Sequence, residues 1–279
     1  MFKIIGMTKL IWKLFKIVLT LLLAFLMYVV IGGVVPFLHH PDVSQTKKEA
    51  VESTQFYSDS VGPDRATIIE DNEEALKMRL RVIKDAQKTL ILSTFDFRSD
   101  DAGKDILAAL LNAADRGVKV EIFADGFNSV IQMENNDYFY ALSSNKNIKI
   151  IIYNQVNILI PWNGLGRMHD KYVIADDSLY ILGGRNTFGY FLGDYAGHKN
   201  YDRDVLVYNT GSKASSIYQI KDYYKKITSQ KCCSVFHCNE SLGEKNSVKK
   251  AEQELKNRYE SLENKYDKFL AENYDYKAN

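Results

Sequence analysis

The stretch MHDKYVIADDSLYILGGRN, residues 168–186, decides how this chain folds and where its chemistry lies. It contains two short apolar runs, Tyr172–Ala175 and Leu179–Leu182, with a polar Asp-Asp-Ser turn between them. This pattern predicts two adjacent buried strands joined by a tight turn. Because side chains alternate between the faces of a strand, His169 and Lys171 are expected to point the same way.

A glycine pair and an asparagine complete the polar set around these strands. Asn186 follows Gly183 and Gly184, and glycine allows the backbone to come close to a ligand. Lysine and asparagine can neutralise and hydrogen-bond phosphoryl oxygens, while an imidazole attacks phosphorus or transfers a proton. Although His169 alone would more often be an ordinary strand-end histidine, the complete set predicts a phosphate-binding catalytic site.

The spacing of these residues resembles the signature of the phospholipase D superfamily. That signature is His-x-Lys-x4-Asp, then six residues, then Gly-Gly/Ser-x-Asn. The resemblance covers roughly residues 63–225 and implies an α/β half-domain, with a mixed β-sheet flanked by helices. The matching positions in this chain are His169, Lys171, Asp176, Gly183, Gly184 and Asn186.

The apolar periodicity elsewhere predicts the same class of fold. Helical and strand patterns alternate along the chain, which is typical of an α/β layered domain with a largely buried sheet. Helices are expected at residues 72–87, 105–116, 137–144 and 212–227, and strands at 88–97, 119–124 and 148–153.

The resemblance also implies a reaction. Family members hydrolyse or exchange phosphodiesters through a phosphohistidine, and neither a metal nor another cofactor is implied. An acidic residue near the strand that follows the signature accepts a hydrogen bond from the imidazole. Alignment of that strand assigns this role to Asp202, with Asp204 as the alternative. An ion pair with Arg203 is an equally good expectation for either carboxylate.

Two features of the signature leave alternatives open. The family reaction uses a second histidine from a second signature, and this chain contains one copy. Either two chains form a homodimer, or the chain is the amino-terminal half of a longer two-copy enzyme. A membrane anchor followed by one half-domain resembles the front end of bacterial cardiolipin synthase-like proteins, which favours the second arrangement. Asp176 is expected in the site, but its place in a turn is equally typical of a carboxylate that binds turn amides.

Residues 17–37, IVLTLLLAFLMYVVIGGVVPF, are almost wholly apolar. Their length matches the ~20 residues that cross a bilayer, and no small-x-small cleavage site follows them. An uncleaved single-pass anchor is therefore favoured over a signal peptide. Because the lysines cluster before this segment, the N-terminus is expected in the cytoplasm and the domain outside. These lysines are Lys3, Lys9, Lys13 and Lys16.

The net charge and the cysteine pattern exclude few functions, but they indicate which partners and ligands to expect. The formal net charge is +1, so no global basic field attracts nucleic acid, and a nucleic-acid partner is not expected. Cys232, Cys233 and Cys238 lie close together near His237. Their spacing matches no closed zinc pattern, so free thiols or one disulfide to Cys238 are favoured over a metal site.

The charged tail, residues 247–279, carries a narrow apolar stripe at helical spacing. The stripe is expected to pack on its own domain, or alternatively to pair with another chain. The predicted organisation is a cytoplasmic segment at 1–16, a transmembrane anchor at 17–38, a linker at 39–62, a phospholipase D-like domain at 63–230, and the cysteine cluster with its helical tail at 231–279.

The favoured function is a membrane-anchored phosphodiesterase or phosphatidyltransferase acting on phospholipids. The anchor motivates this choice because it would hold the site near lipid head groups. An endonuclease of the same superfamily and a catalytically incomplete interaction module are the alternatives.

Overall fold

The computed structural model describes residues 2–35, 38, 42–49, 59–157, 159–237, 240–271 and 273–277. The chain forms two compact units. The first contains Met1–Tyr57 and Val156–Gly166, and the second contains Ser58–Gln155 and Arg167–Asn279.

The first unit is built around the N-terminal helix α1, Phe2–Val34. A short helix α2, Gln45–Glu49, and a 3-10 turn, Pro161–Leu165, also belong to it. The part of α1 from Lys9 to Val34 is long and apolar enough to cross a membrane, and none of its apolar window is buried by the rest of the chain. The predicted N-terminal apolar helix is therefore present, and it begins well before residue 17.

An eight-stranded mixed sheet forms the centre of the second unit. The strand order is β1-β7-β6-β5-β2-β3-β4-β8, with β2, β3 and β4 parallel and the other pairs antiparallel. This confirms the predicted mixed α/β fold. The strands are β1 (Asp64–Ile69), β2 (Thr89–Thr94), β3 (Lys119–Asp125), β4 (Ile148–Tyr153), β5 (Tyr172–Ala175), β6 (Leu179–Gly183), β7 (Asp204–Asn209) and β8 (Cys233–Val235).

Helices cover the two faces of the sheet unequally. The larger core lies under α3, α4, α6 and α9, and the smaller one lies under α7. The helices of this unit are α3 (Asn72–Asp85), α4 (Asp101–Asp115), α5 (Gly126–Gln132), α6 (Asp137–Ser143), α7 (Ser216–Thr228), α8 (Glu240–Gly243), α9 (Asn246–Lys265) and α10 (Asp267–Ala271).

Aspartate caps fix where several of these helices begin. Asp71 accepts hydrogen bonds from the main-chain N–H groups of the first turn of α3, and Asp100 does the same for α4 at Gly103. A carboxylate cap typically stabilises a helix by ~1 kcal/mol. The cap at Asp100 explains why α4 begins four residues before the predicted start at residue 105, whereas the apolar periodicity is clear only from there.

The two edge strands were absent from the sequence-based predictions. β1 has the sequence DRATII, in which charged and small residues obscure the alternation expected of a strand, and β8 is only three residues long. Both strands acquire their partners through tertiary pairing, β1 with β7 and β8 with β4.

The apolar stripe of the tail is buried on its own domain. Helix α9 packs against α4 and α6, which agrees with the first of the two interpretations of this segment. Cys232 and Cys233 are free thiols, which agrees with the first of the two favoured alternatives, and Cys238 lies outside the described residues. The buried stripe residues are Val248, Ala251, Leu255, Tyr259, Leu262 and Tyr266.

Candidate active site

His169 and Lys171 converge on one aromatic ring at the end of the sheet. The His169 ring lies edge-on to Phe95, with 4.5 Å between ring centroids. The Lys171 Nζ lies over the same ring, 5.4 Å from its centroid. Strand β5 begins only at Tyr172, so both residues lie in the segment before it, and their common contact with Phe95 places them on one side, as predicted.

A buried carboxylate holds the chain that leads into His169. Asp125, only 1% exposed, accepts hydrogen bonds from Arg167 Nε and Nη2 at 2.7–3.0 Å and from the main-chain N–H of Met168. The same carboxylate caps α5. The Arg167 guanidinium also lies over the Phe95 ring, at 4.8 Å. The chain segment that leads to His169 is therefore held by Asp125, at the end of β3, and by Phe95, just after β2.

Lys171 is 5% exposed, and its Nζ donates a 2.7 Å hydrogen bond to the main-chain oxygen of His169. Burial lowers the pKa of this ammonium group, and the negative charges of Asp170 and Asp202 oppose that shift. A buried lysine with one internal acceptor keeps further N–H groups for an anionic ligand.

Desolvation and nearby charges both act on the imidazole of His169. Partial desolvation lowers its pKa below the ordinary value, the positive charges of Lys171 and Arg167 lower it further, and the negative charges of Asp170 and Asp125 oppose these effects. A lowered pKa favours the neutral imidazole at pH 7, and the neutral ring is the form that attacks an electrophile or accepts a proton.

Asn186 lies beside the same ring-bearing segment. Its Oδ1 accepts a 3.1 Å hydrogen bond from the main-chain N–H of Asp96, the residue after Phe95. This contact orients the amide so that Nδ2 is the group left to donate. The Asp96 carboxylate in turn binds Arg98 Nη2 at 2.6 Å, and the Arg98 guanidinium covers the Phe188 ring at 3.8 Å.

The two glycines of the signature make room for carboxylates. A Cβ on Gly183 would lie 1.9 Å from Asp204 Oδ1, and a Cβ on Gly184 would lie 2.1 Å from Asp202 Oδ2. We predicted that these glycines would let the backbone approach a ligand. In the structure, the closest neighbours of both positions are side chains of the chain itself.

An open groove of about 460 Å³ extends from His169 and Lys171 toward α7. The Tyr223 hydroxyl donates to Asp170 Oδ2 at 2.7 Å on its wall, and burial raises the pKa of Tyr223 to about 12. The remaining lining residues are Tyr172, Tyr180, Leu182, Gly183, Ser216, Gln219 and Ile220.

Comparison with known protein families gives a match over the region that contains these residues. The family described as "Cardiolipin synthase, PLD-like domain" matches residues 80–227, slightly more than half of the chain. The chain belongs to the phospholipase D superfamily. The matched region contains every residue of the signature described above.

Several individual proteins of the superfamily are similar to the chain. Cardiolipin synthase B of Salmonella typhi is 32% identical over 142 residues, which is 50% of this chain and 34% of that protein. Cardiolipin synthase B of Escherichia coli K12 is 31% identical over 144 residues, 51% of this chain and 34% of that protein. The chain thus spans about a third of the length of these relatives.

Two solved structures align with the chain at lower identity. NucT from Helicobacter pylori aligns with a TM-score of 0.49 and 22% identity, covering 62% of this chain and 99% of NucT. Phosphatidylserine synthase from Haemophilus influenzae Rd KW20 aligns with a TM-score of 0.49 and 13% identity, covering 71% of this chain and 44% of that one.

The two candidate acidic residues differ completely in their surroundings. Asp202 packs against Gly184, accepts a 2.7 Å hydrogen bond from the N–H of Arg203, and raises the pKa of Lys171 through its charge. Within the described residues, no hydrogen bond joins Asp202 to the His169 imidazole. Asp204 is fully buried and paired with Arg79 at 2.8 Å and Arg185 at 3.1 Å, so it serves the interior of the domain.

The superfamily aspartate at position 176 lies away from His169, at the opposite end of β5. Its carboxylate accepts 2.8 Å hydrogen bonds from three consecutive main-chain N–H groups, at residues 87, 88 and 89. The residue itself adopts a left-handed backbone, with φ of 53°. These contacts are those of the turn alternative, in which Asp176 ties β5 to the start of β2, and a catalytic role of Asp176 stays a prediction.

Sequence reasoning missed three residues of this site, namely Phe95, Asp125 and Arg167. A usable signal existed, because Phe95 and Asp125 stand at or just after the carboxyl ends of two neighbouring parallel strands, β2 and β3. Such ends meet at one edge of a sheet, where ligands typically bind. Within the described residues, no cluster of three or more His, Cys, Asp or Glu side chains has a metal-binding arrangement.

Proposed function

We propose that this chain is a membrane-anchored phosphodiesterase or phosphatidyltransferase that acts on phospholipids through a phosphohistidine. The observation that carries the proposal is the convergence of the His169 imidazole and the Lys171 ammonium on Phe95, with both residues also lining the open groove. Membership of the superfamily supports the reaction class, and the apolar helix from Lys9 to Val34 supports the membrane location.

In the first step, a nitrogen of neutral His169 forms a bond to phosphorus as the bond between phosphorus and the leaving alcohol oxygen breaks. Lys171 and the Nδ2 group of Asn186 hold the phosphoryl oxygens and stabilise the charge that develops on them. A second, protonated imidazole gives its proton to the leaving alcohol. In the second step, the second imidazole, now neutral, accepts a proton from water or another alcohol, whose oxygen forms a bond to phosphorus as the bond between phosphorus and His169 breaks.

The second imidazole comes from a second copy of the signature. A homodimer partner or the other half of a longer two-copy enzyme can supply it. The chain spans about a third of the length of each cardiolipin synthase B that it matches. In both arrangements the two imidazoles share the work, one as nucleophile and one as acid.

The groove suits a phospholipid better than a small phosphate ester. Leu182 and Ile220 give it an apolar wall beside the polar groups of Asp170 and Tyr223. Such a wall can contact the glycerol and ester portion of a lipid while the phosphate lies against Lys171. Asp202 would act on the site through the charge it places near Lys171.

Reconstitution of the full chain in vesicles of phosphatidylglycerol and phosphatidylcholine tests the proposal. We expect release or exchange of head groups that His169→Ala abolishes. His237→Ala is the matched control, because His237 is also exposed but pairs with Glu134 rather than with any residue of the site. Equal turnover by the wild type and His169→Ala would refute the proposal.

Two other outcomes point to the alternative functions. Cleavage of plasmid DNA in the presence of EDTA, abolished by Lys171→Ala, would identify a nuclease. A monomeric chain that turns over neither lipid nor DNA would identify a binding module. The orientation is tested separately: an N-terminal tag protected from protease in intact cells agrees with a cytoplasmic N-terminus.

A further inference from the structure

The loop at residues 156–166 lies between β4 and the signature and contains no charged residue, reading VNILIPWNGLG. Two of its leucines are largely solvent-exposed: Leu159 at 71% and Leu165 at 44%. An uncharged loop with exposed leucines and a tryptophan has the composition of a segment that lies at a membrane surface.

This 156–166 loop is seated on α1. The Tyr28 hydroxyl donates a 2.8 Å hydrogen bond to the main-chain oxygen of Leu159. The Tyr28 and Trp162 rings meet edge to face, with centroids 5.2 Å apart. Gly32 lies one helical turn after Tyr28 on the same side of the helix, and a Cβ there would lie 2.4 Å from Trp162 Cε3. Gly32 therefore forms a notch that receives the Trp162 ring.

The notch lies near the end of the candidate membrane span that is opposite the lysines. A bilayer core of ~30 Å is crossed by about 20 helical residues. The candidate span runs from Lys9 to Val34, so Tyr28 and Gly32 lie within its last two turns. Tyrosine and tryptophan favour this depth, where their rings contact acyl chains and their polar groups reach water.

We propose that the 156–166 loop docks in the lipid–water interface of a phospholipid bilayer, held there by the contact of Trp162 with Tyr28 and Gly32. In this arrangement Leu159 and Leu165 contact the upper acyl chains. The inference rests on the proposed function, which it deepens by specifying that the substrate is taken from the bilayer surface.

The 156–166 loop matters for catalysis because it lies close to His169 along the chain. Gly166 precedes His169 by three residues, so covalent geometry limits their Cα separation to ~11 Å. The head-group region on each side of a bilayer is ~5–8 Å thick. A loop fixed at the edge of the hydrocarbon would therefore keep the His169 imidazole within reach of lipid phosphates.

Tryptophan fluorescence tests the depth of the loop without reference to activity. The sequence contains two tryptophans, so Trp12→Phe leaves Trp162 as the reporter in the full chain. In phosphatidylglycerol–phosphatidylcholine vesicles, we expect blue-shifted emission that nitroxides at the top of the acyl chains quench more strongly than nitroxides at the bilayer centre. Water-like emission overturns the proposal, as does blue-shifted emission that lipid nitroxides do not quench, which indicates burial against a second copy.

Two adjacent glycines provide a matched pair of variants for the functional test. A side chain at Gly32 meets Trp162, whereas a Cβ at Gly33 meets nothing within 4 Å. We expect Gly32→Leu to abolish the quenching by shallow nitroxides and to lower turnover of vesicle phospholipid by at least roughly tenfold, since small misplacements of reacting groups have effects of that size. Gly33→Leu is expected to behave as the wild type in both measurements.

A water-soluble, short-chain phosphodiester separates this inference from the proposed function. We expect Gly32→Leu to cleave it at the wild-type rate, because the site itself is unchanged. If the wild type cleaves neither substrate, the proposed function fails, while the quenching of Trp162 still decides the place of the loop. Equal loss of vesicle turnover in Gly32→Leu and Gly33→Leu would overturn the role of the notch.

Discussion

Replacing Asp204 by asparagine should destabilise the domain far more than its size suggests. Asp204 is the shared carboxylate partner of Arg79 and Arg185, and the side chains of all three are at most 4% exposed. Asparagine keeps the shape of the side chain but removes its charge. Two guanidinium groups then remain in the interior without a counter-ion.

The structure allows an estimate of the loss. Breaking a buried ion pair by removing one partner costs ~3–5 kcal/mol, because the remaining charge stays desolvated. The surviving hydrogen bonds of Arg185, to the main-chain oxygens of Ile69 and Glu70, do not replace the charge. At ~2–4 °C per kcal/mol for a domain of this size, the melting temperature should fall by roughly 6–20 °C.

Thermal unfolding of the full chain in detergent, followed by circular dichroism, measures this effect. Arg203→Ala is the matched control. It is adjacent in sequence and breaks an ion pair with Glu70, but those side chains are 73% and 65% exposed. Exposed pairs contribute at most ~1 kcal/mol. Melting temperatures of Asp204→Asn and Arg203→Ala within ~2 °C of each other would refute the reasoning.

The acid dependence gives a second check on the same cluster. Burial alone would raise the pKa of Asp204, but Arg79 and Arg185 outweigh it, and the pKa is lowered. The stabilisation is therefore present above the unfolded-state pKa of ~3.9 and is lost as the pH falls through the lower folded-state pKa. The stability difference between wild type and Asp204→Asn should shrink in that acidic range and stay constant from pH 5 to 7.

Three further predictions concern the site and its supports. Nuclear magnetic resonance titration of His169 should give a pKa below 6.5, and Asp170→Asn should lower this pKa further because an opposing negative charge is lost. A rise in the pKa of His169 in Asp170→Asn would contradict this electrostatic account. Asp176→Ala should lower stability by ~1–3 kcal/mol, because three hydrogen bonds are lost, while the folded variant keeps the wild-type kcat. A large loss of kcat at unchanged stability would instead indicate that Asp176 has a catalytic role. Arg258→Ala should also lower stability, by ~1–3 kcal/mol, because Arg258 Nε donates a 2.6 Å hydrogen bond to the buried carboxylate of Asp105 on α4. Lys256→Ala breaks only half-exposed ion pairs and should change stability little, so equal melting temperatures of the two variants would argue against the Arg258 contact.

The strands and helices of the interior were predictable because their side-chain pattern is local. The bounds of β4 and β5 agree with the predictions residue for residue, and α3 differs only at its C-terminal end. Buried strands reveal themselves through continuous apolar runs, and a helix with one buried face reveals itself through its period. The edge strands β1 and β8 were missed since they become strands only when a neighbour offers hydrogen bonds.

The candidate site divides in the same way. The spacing of His169 and Lys171 predicted that both face one side, on the pattern of an alternating strand. Spacing could not show that both contact the ring of Phe95, because β2 precedes this segment by more than 70 residues and meets it only in the folded sheet. The pairing of Arg167 with Asp125 has the same origin.

The carboxylates show most clearly what the sequence determined and what only folding decided. The sequence alone determined the signature, the apolar N-terminal helix and the alternation of helices and strands that defines the α/β class, because each depends on the order of neighbouring residues. It did not separate Asp176, Asp202 and Asp204, which are all acidic residues beside strands. In the tertiary structure, Asp176 binds main-chain amides, Asp202 lies in the vicinity of Lys171, and Asp204 pairs with two buried arginines. The role of a charged group depends on which partners the fold brings within a few ångströms, and those partners are distant in the chain.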